Sequence, residues 1–309
     1  MYKPVQDIHF WIIELVNRVR GHYIVEDATS GLRLYFSTRA TRWPAYFLAV
    51  MTVIAVFGSR LAPYHYNDQH RTEVGELNRL APPSLDHPLG TTHNGYDVFS
   101  RVIIGTQPTM EAGFLGGLLI ITIGMSIGMT AGYMRGPVEA ILMRITDFVY
   151  GVPLIPFAIV LLALFGAGYY ASILVIGAIV WRGSARVIRS QVLQIRESEY
   201  IKAAEAMGSP THRTIIKHVF PNVMGLVILY FAIGVGVTIT LQASLSFLGM
   251  GDPFLPSWGV MLRNVYNSGY MARAWWWTLP PGILLSLTVL STLLLGRGVE
   301  IFDEGGIHG

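Results

Sequence analysis

Two carboxylates, Glu111 and Asp147, lie at the edges of apolar stretches and are the first candidates for chemistry in this sequence. Carboxylates within a membrane can line a path for a polar solute or carry a coupling proton. A proton-coupled carrier generally places such groups near mid-bilayer, and these stretches contain no carboxylate at that depth. Gln242 and Ser244 are the main polar residues far along the fifth apolar stretch. These four residues are candidates for lining a path. For the two carboxylates we favour the alternative, pairing with arginines at the membrane surface.

The sequence contains none of the residue sets that common catalytic motifs require. The sequence has no Cys, no Gly-x-Ser-x-Gly motif for a serine nucleophile and no His-Glu-x-x-His motif for zinc. A phosphate-binding loop requires Lys before Ser or Thr, whereas the three lysines precede Pro4, Ala203 and His218. We therefore predict a non-catalytic chain with no metal site and no cofactor of its own. If it takes part in active transport, partner subunits must bind ATP and Mg²⁺.

The composition indicates a membrane protein. Apolar residues make up 52% of the chain and charged residues 13%, about half the charged share of a soluble domain. A helix needs about 20 residues to cross a hydrocarbon core. We predict an all-α membrane protein with six transmembrane helices. The predicted spans are 44–61, 110–133, 140–165, 170–187, 223–248 and 275–295.

These spans divide the chain into parts. We predict a leader at 1–43, the first span at 44–61, an extracytoplasmic polar loop at 62–109, a core at 110–296 and a tail at 297–309. The apolar residues of 10–19 predict either an amphipathic helix in the membrane interface or a short helix packed on the spans. Pro153, in the third span, predicts a kink, with a hinge in a moving gate as the alternative.

The distribution of Lys and Arg predicts the orientation. Sixteen lie in the leader, the even-numbered connections and the tail, and six lie in the odd-numbered connections. Because cytoplasmic loops carry the excess of positive residues, both termini and the connection after the fourth span are predicted to be cytoplasmic. The length of the 62–109 loop qualifies this rule, since long loops cross the membrane whatever their charge.

That connection contains the most distinctive segment, 199–222, which is polar and helical between two apolar spans. Ala203, Ala204 and Gly208 leave almost no side chain on one side of its first helix, so the backbone of a partner could approach closely. Gly208 ends this helix, Ser209 caps the next, and Pro210 occupies its first position. This pattern predicts two short helices that meet at a fixed angle.

The second short helix is amphipathic. His212, Arg213 and Lys217 are predicted to point away from the bundle, and Pro221 to stop the helix before the fifth span. Together the two helices predict a docking element; the alternative is an amphipathic loop that rests on lipid headgroups. The residues predicted to face the membrane and the bundle are Ile215, Ile216, Val219 and Phe220.

The motifs E-Y-I-K-A-A-E-A-M-G at 199–208 and H-V-F-P-N at 218–222 resemble the coupling loop, or EAA motif, of ATP-binding-cassette importer permeases. Three further stretches are similar to the dipeptide, oligopeptide and nickel branch of that family. They are H-P-L-G-T-T-H-N-G-Y-D-V-F-S-R at 87–101, L-S-F-L-G-M-G-D-P-F-L-P-S-W-G-V-M-L at 245–262 and W-W-W-T-L-P-P-G at 275–282. The leader and the long outer loop resemble those of the C-type subunit of a permease pair.

The resemblance implies a type I importer permease fold with cytoplasmic coupling helices. It implies as partners a B-type permease, two ATP-binding subunits, an external solute-binding protein and membrane lipid, but no nucleic acid. Ala203, Ala204 and Gly208 would lie in a groove of an ATPase, and closure of the ATPases would tilt the spans. The residues that the resemblance assigns to coupling are Glu199, Ala203, Ala204, Gly208, Arg213, His218, Pro221 and Asn222.

The sequence departs from the family pattern at four positions. Thr92 and Tyr96 stand where Asp and Arg are usual, Glu205 stands where a basic residue is common, and Gln242 stands near an acidic position. The first two bear on polar contacts of the outer loop. Glu205 bears on a charge contact with the ATPase, and therefore on the choice of partner.

We predict a permease subunit in a prokaryotic plasma membrane that imports di- and oligopeptides with ATP hydrolysed elsewhere. Nickel chelates and oligosaccharides are alternative substrates within the same branch. A stand-alone ion-coupled carrier is the alternative from another class, and the absence of deep carboxylates argues against it. A membrane-bound enzyme is weaker still, because the sequence offers no nucleophile or metal site.

Overall fold

The computed structural model describes residues 39–305 and the side chains of residues 42–297. The interfacial helix predicted at 10–19 lies outside the described residues. The described part is helical, with three isolated β-bridges in the 62–97 loop and no longer strand. The helices are α1 (Arg39–Leu61), α2 (Val98–Met134), α3 (Gly136–Gly151), α4 (Leu154–Phe165), α5 (Tyr169–Val180), α6 (Arg182–Arg196), α7 (Glu199–Ala206), α8 (Thr211–Thr214), α9 (Phe220–Phe247), α10 (Trp258–Asn267) and α11 (Trp275–Gly305).

Five helical stretches of the described residues are long and apolar enough to cross a membrane. They are α1, α2, α5 together with α6, α8 together with α9, and α11. A sixth is obtained if α3 and α4 form one span, although they meet at 91°. The all-α fold with up to six spans therefore agrees with the prediction from hydropathy.

The bend between α3 and α4 is much sharper than the kink that the sequence predicted. Val152 and Pro153 are extended, and α4 begins only at Leu154. Proline disfavours helical geometry in the residue before it and cannot donate a backbone hydrogen bond. The carbonyls freed at the break accept from a side chain instead: the Arg182 guanidinium donates to the Val149 and Val152 carbonyl oxygens.

Helix α2 is the central element, because it packs against α1, α5, α6 and α9. Glycines allow this close packing. A Cβ on Gly128 would lie 2.6 Å from the Ala185 carbonyl oxygen of α6, and one on Gly116 would lie 2.2 Å from the Thr238 side chain of α9. Small residues that let backbones approach are the usual basis of helix association in a bilayer.

Two of the hydrophobic clusters lie toward opposite ends of α2. Toward its N-terminal end, Trp258 is fully buried and its indole N–H donates to the Val102 carbonyl oxygen (3.1 Å). Toward its C-terminal end, Tyr133 packs with Ile188 and Ile201. These clusters fasten α10 at one end of the bundle and the 199–222 segment at the other.

The 62–97 loop is folded although it has little regular structure. The His87 ring and the Asp97 carboxylate form a buried hydrogen bond (2.8 Å from Nδ1 to Oδ1). Asp97 also caps α2, since its Oδ2 accepts from the Ser100 backbone N–H (2.7 Å). Gly90 has a positive φ of 62°, and a Cβ there would lie 2.4 Å from the Ala81 carbonyl oxygen. The loop therefore packs as a unit against the start of α2.

Candidate functional site

The 199–222 segment forms a corner beside the C-terminal end of α2. Helix α7 ends in a Schellman motif, in which Gly208 N–H donates to the Glu205 carbonyl oxygen (2.9 Å) and Ser209 N–H to that of Ala204 (3.1 Å). Gly208 has a φ of 79°, and a Cβ there would have open space on every side. The chain turns at Gly208 because glycine adopts this left-handed conformation without a steric penalty.

The small residues of α7 do not all share one exposed face. Ala203 and Gly208 are exposed, but Ala204 is 7% exposed and lies on the same side as the fully buried Ile201. Residues three apart on a helix share a face, so Ala204 follows Ile201 toward the bundle. The predicted groove contact can therefore involve Ala203 and Gly208, but not Ala204 in this arrangement. Glu199 is exposed at the start of α7.

Charged residues fasten the beginning of the segment to its surroundings. The Glu197 carboxylate accepts from the Arg135 guanidinium and from the Lys202 ammonium group (3.2 Å). The hydrogen bond from Lys202 and that from Arg135 lower the pKa of Glu197 below its usual value. Glu197 therefore stays ionised and links the α2–α3 junction to α7 at neutral pH.

Glu205 has a partner within its own chain. The Tyr133 hydroxyl at the end of α2 donates to Glu205 Oε1 (2.7 Å). The Arg196 guanidinium lies over the Tyr133 ring, 5.4 Å from its centroid. The carboxylate at this unusual position is thus engaged with α2.

The corner after Gly208 differs in detail from the prediction. Helix α8 begins at Thr211 with Pro210 as its N-cap, and Ser209 does not cap the backbone. Instead, the Ser209 hydroxyl oxygen accepts from the Thr214 hydroxyl (3.1 Å). Since Thr214 is fully buried, this bond fixes the corner from the inside.

Pro221 does not stop the second short helix, contrary to the prediction. A π-helical turn at Ile215–Val219 joins α8 to α9, and Phe220 N–H donates to the carbonyl oxygen of Ile215, five residues back. In an α-helix the ring of Pro221 would clash with the carbonyl four residues before it. That carbonyl lies within the π turn, which is wider than an α-helical turn. The amide of Asn222 donates to the His218 carbonyl oxygen (2.6 Å).

The two faces of this second helix are mostly as predicted. Val219 is fully buried, and Ile215 and Phe220 pack against the same cluster, but Ile216 is 67% exposed. Ile216 follows Ile215 around the helix and therefore faces away from the core. The polar side chains of His212, Arg213 and Lys217 are exposed.

The residues predicted to line a path do not form one cluster. The Tyr170 hydroxyl donates to Glu111 Oε1 (3.1 Å), and Asp147 pairs with Arg186. Thus Asp147 has the arginine partner that we favoured, whereas Glu111 has a tyrosine. Pro153 is exposed at the α3–α4 break.

In α9, the predicted path residues bond within the helix. Buried Gln242 donates to the Ser246 hydroxyl oxygen (3.1 Å), and Ser244 donates to the Thr240 carbonyl oxygen (2.8 Å). Among the described residues, no three His, Asp or Glu side chains are grouped so that they could hold a metal.

The sequence reading missed three residues that hold the segment in place: Tyr133, Arg135 and Glu197. Each contact joins positions more than sixty residues apart, so no local spacing indicates it. A weak signal existed for Glu197 alone, because its charge precedes α7 on the same connection as Lys202.

Comparison with known proteins gives consistent relatives. Residues 124–300 match a family described as the binding-protein-dependent transport system inner membrane component. The chain is 36% identical to the dipeptide transport system permease protein DppC of Bacillus subtilis, with 82% of this chain and 78% of that protein covered. It is 30% identical to the oligopeptide transport system permease protein OppC of Haemophilus influenzae, with coverages of 92% and 89%. It is 32% identical to the glutathione transport system permease protein GsiD of Pectobacterium atrosepticum, with coverages of 82% and 83%.

A solved structure has a similar fold. It is the MetNI methionine ABC transporter in an inward-facing conformation, of which one chain matches with a TM-score of 0.50. The identity is 19%, and the match covers 65% of this chain and 96% of that chain. At this identity the likeness concerns the fold, which agrees with the helical architecture described above.

Proposed function

This chain belongs to the family of binding-protein-dependent transport system inner membrane components, and on that premise we propose that it forms half of a translocation pathway for di- and oligopeptides. The other half is a homologous B-type permease. Two ATPase subunits supply the energy, and an external binding protein delivers the solute. The chain itself carries out no chemistry in this scheme, and the ATPases bind ATP and Mg²⁺.

Relatives support peptides as the substrate class. Permeases named for dipeptides, oligopeptides and glutathione each share 30% or more of their aligned residues with this chain. Glutathione is itself a small peptide, so the three names agree in chemical class. The three relatives described above are not named for nickel chelates or oligosaccharides.

The charge distribution supports an orientation with both termini in the cytoplasm. With the 199–222 segment on that side, its exposed corner would face the ATPases. The 62–97 loop, at the opposite end of α2, would then face the external binding protein.

The observation that carries the coupling role is the exposed corner at Gly208 on a base fixed to the bundle. Glu197 and Glu205 tie α7 to the C-terminal end of α2, while Val219 and Ile215 tie the following helix to the core. A push on such a corner is transmitted to α2 and α9 and is not absorbed by a flexible loop. This is the property required of an element that passes a rigid-body motion between subunits.

The test replaces Gly208 by Phe and, as a matched control, by Ala in the complex reconstituted with its partner permease, ATPases and external binding protein. Both substitutions are destabilised by about 1–2 kcal/mol in the left-handed conformation, but only Phe adds bulk where a partner would dock. We expect Gly208→Phe to lose solute-stimulated ATPase activity while remaining in the membrane, and Gly208→Ala to retain most of it.

Unchanged stimulation in the Phe variant would contradict the docking role. Uptake of a dipeptide by this chain alone, in vesicles with an ion gradient and without ATPases, would contradict the whole proposal and favour an ion-coupled carrier.

A further inference from the structure

A pocket of about 450 Å³ lies beside the N-terminal end of α2, far along the chain from the 199–222 segment. We call it the Arg101 pocket. The 62–97 loop, the connection before α10 and α10 itself form its walls. Its volume falls within the range of small-molecule sites, about 300–1,000 Å³. Several of its lining residues are amides, namely Asn67, Asn94, Asn264 and Asn267.

Arg101 is a buried cation without an anion. It lines this pocket and is 7% exposed. Its guanidinium forms no hydrogen bond or ion pair with any described residue, and its Nε atom is buried without a partner. Its one contact of note is the Tyr96 ring, whose centroid lies 4.6 Å from Cζ. A buried charge is costly unless it is paired, so an anion that enters the pocket would find an unused partner.

The rest of the pocket is also suited to an anion. None of its described lining residues is Asp or Glu. Burial, and then the positive charges of Arg79 and Arg101, lower the pKa of His93. The His93 ring stacks on Trp277, with ring centroids 5.4 Å apart, and its Nδ1 lies 3.1 Å from the Ser268 hydroxyl oxygen. A flat aromatic wall therefore stands beside the guanidinium and the amides.

We propose that the Arg101 pocket binds a small peptide through its carboxylate. The Arg101 guanidinium would donate a bidentate pair of hydrogen bonds to the carboxylate, and the asparagine amides would bond to the peptide backbone. We favour a small peptide over the surface of a docked protein, because the guanidinium is only 7% exposed and lies within a pocket of small-molecule size. The choice of a peptide, and the outward position of the pocket, rest on the proposed function.

The experiment measures equilibrium binding of dialanine and of dialanine amide, which lacks the carboxylate, to the permease pair in nanodiscs. Neither ATP nor ATPases are present, so a failure of coupling leaves the measurement unaffected. A charge-assisted hydrogen bond is worth about 1.5–3 kcal/mol. We therefore expect dialanine to bind about ten- to a hundred-fold more tightly than its amide.

The Arg101→Gln variant should lose this preference, with a Kd for dialanine raised about ten- to a hundred-fold. The matched control is Arg71→Gln in the adjoining 62–97 loop, where the exposed guanidinium donates to the Gly75 carbonyl oxygen outside the pocket. It should bind dialanine like the unaltered chain. Arg101→Lys keeps the positive charge but cannot form the bidentate pair of hydrogen bonds, so it should bind dialanine with intermediate affinity. This result would distinguish a loss of carboxylate recognition from a loss of folding.

Equal binding of dialanine and its amide would overturn the proposal, as would unchanged affinity in Arg101→Gln. If dialanine does not bind but Arg101→Gln weakens docking of the external binding protein, the pocket is a protein contact and the proposal is wrong.

Discussion

At the scale of single residues, the contact between Tyr133 and Glu205 connects the longest helix to the 199–222 segment. Replacing Tyr133 by Phe removes the hydroxyl and leaves the ring in the cluster. A hydrogen bond of this kind contributes about 0.5–1.5 kcal/mol. We expect amides of residues 199–209 to exchange about two- to ten-fold faster in Tyr133→Phe, as measured by hydrogen exchange in nanodiscs.

The control for this variant is Tyr200→Phe, because Tyr200 is exposed on α7 and its hydroxyl has no hydrogen bond in the described structure. It should leave exchange at 199–209 unchanged. Equal exchange in the two variants would mean that the hydrogen bond does not restrain α7.

Residue types alone indicated where the chain bends, but not which side chains hold the bends. The corner at Gly208 is predictable from the sequence, because it depends only on the ability of glycine to adopt a left-handed conformation. The sequence groups Ala204 with Ala203 and Gly208, whereas the structure buries Ala204 on the same side as Ile201. A run of small residues does not indicate which of them faces the core. The partners of Asp147 and Glu205 depend on how distant helices pack, and hydropathy does not contain this information.

At the scale of elements, the prolines show the limit of local rules. The sequence predicts that Pro153 kinks one span, but in the structure it separates two helices that meet at 91°. The break is stabilised because the Arg182 guanidinium donates hydrogen bonds to the freed carbonyls. Pro221 was expected to end a helix, and a π turn lets the helix continue. In both cases the tertiary setting determined whether the backbone broke.

The 62–97 loop is expected to lose stability in acid. Burial, and then the nearby His87, lower the pKa of His70 below its ordinary value of 6.5, and His70 Nε2 is buried without a partner. The unfolded loop therefore binds more protons than the folded loop below about pH 6.5, so stability present above this pH falls as the pH is lowered. Hydrogen exchange of 62–97, corrected for intrinsic rates, should be faster at pH 5.5 than at pH 7.5.

His70→Asn should weaken this pH dependence, whereas replacing exposed His65 by Asn should not. A pH dependence that is the same in both variants would show that another group causes it.

At the scale of the whole molecule, α2 connects the Arg101 pocket at one end with the 199–222 segment at the other. Its 37 residues correspond to about 55 Å of helix. Arg101 lies in its first turns and Tyr133 in its last. Because α6 and α9 pack along it and both lead into the 199–222 segment, we expect these three helices to move as one unit.

The glycine contacts along α2 test that expectation. A Cβ on Gly128 would lie 2.6 Å from the Ala185 backbone oxygen of α6, so Gly128→Ala must push α6 outward at a cost of about 1–3 kcal/mol. Gly282→Ala is the matched control, because a Cβ there meets nothing within 4 Å and both changes favour helix formation equally. We expect Gly128→Ala to lower the apparent midpoint of thermal unfolding at a fixed scan rate, and to weaken ATPase stimulation in the reconstituted complex. A Gly128→Ala variant with a lower unfolding midpoint but normal ATPase stimulation would show that the 199–222 segment does not depend on the spacing of α2 and α6. It would contradict the expectation that the three helices move as one unit.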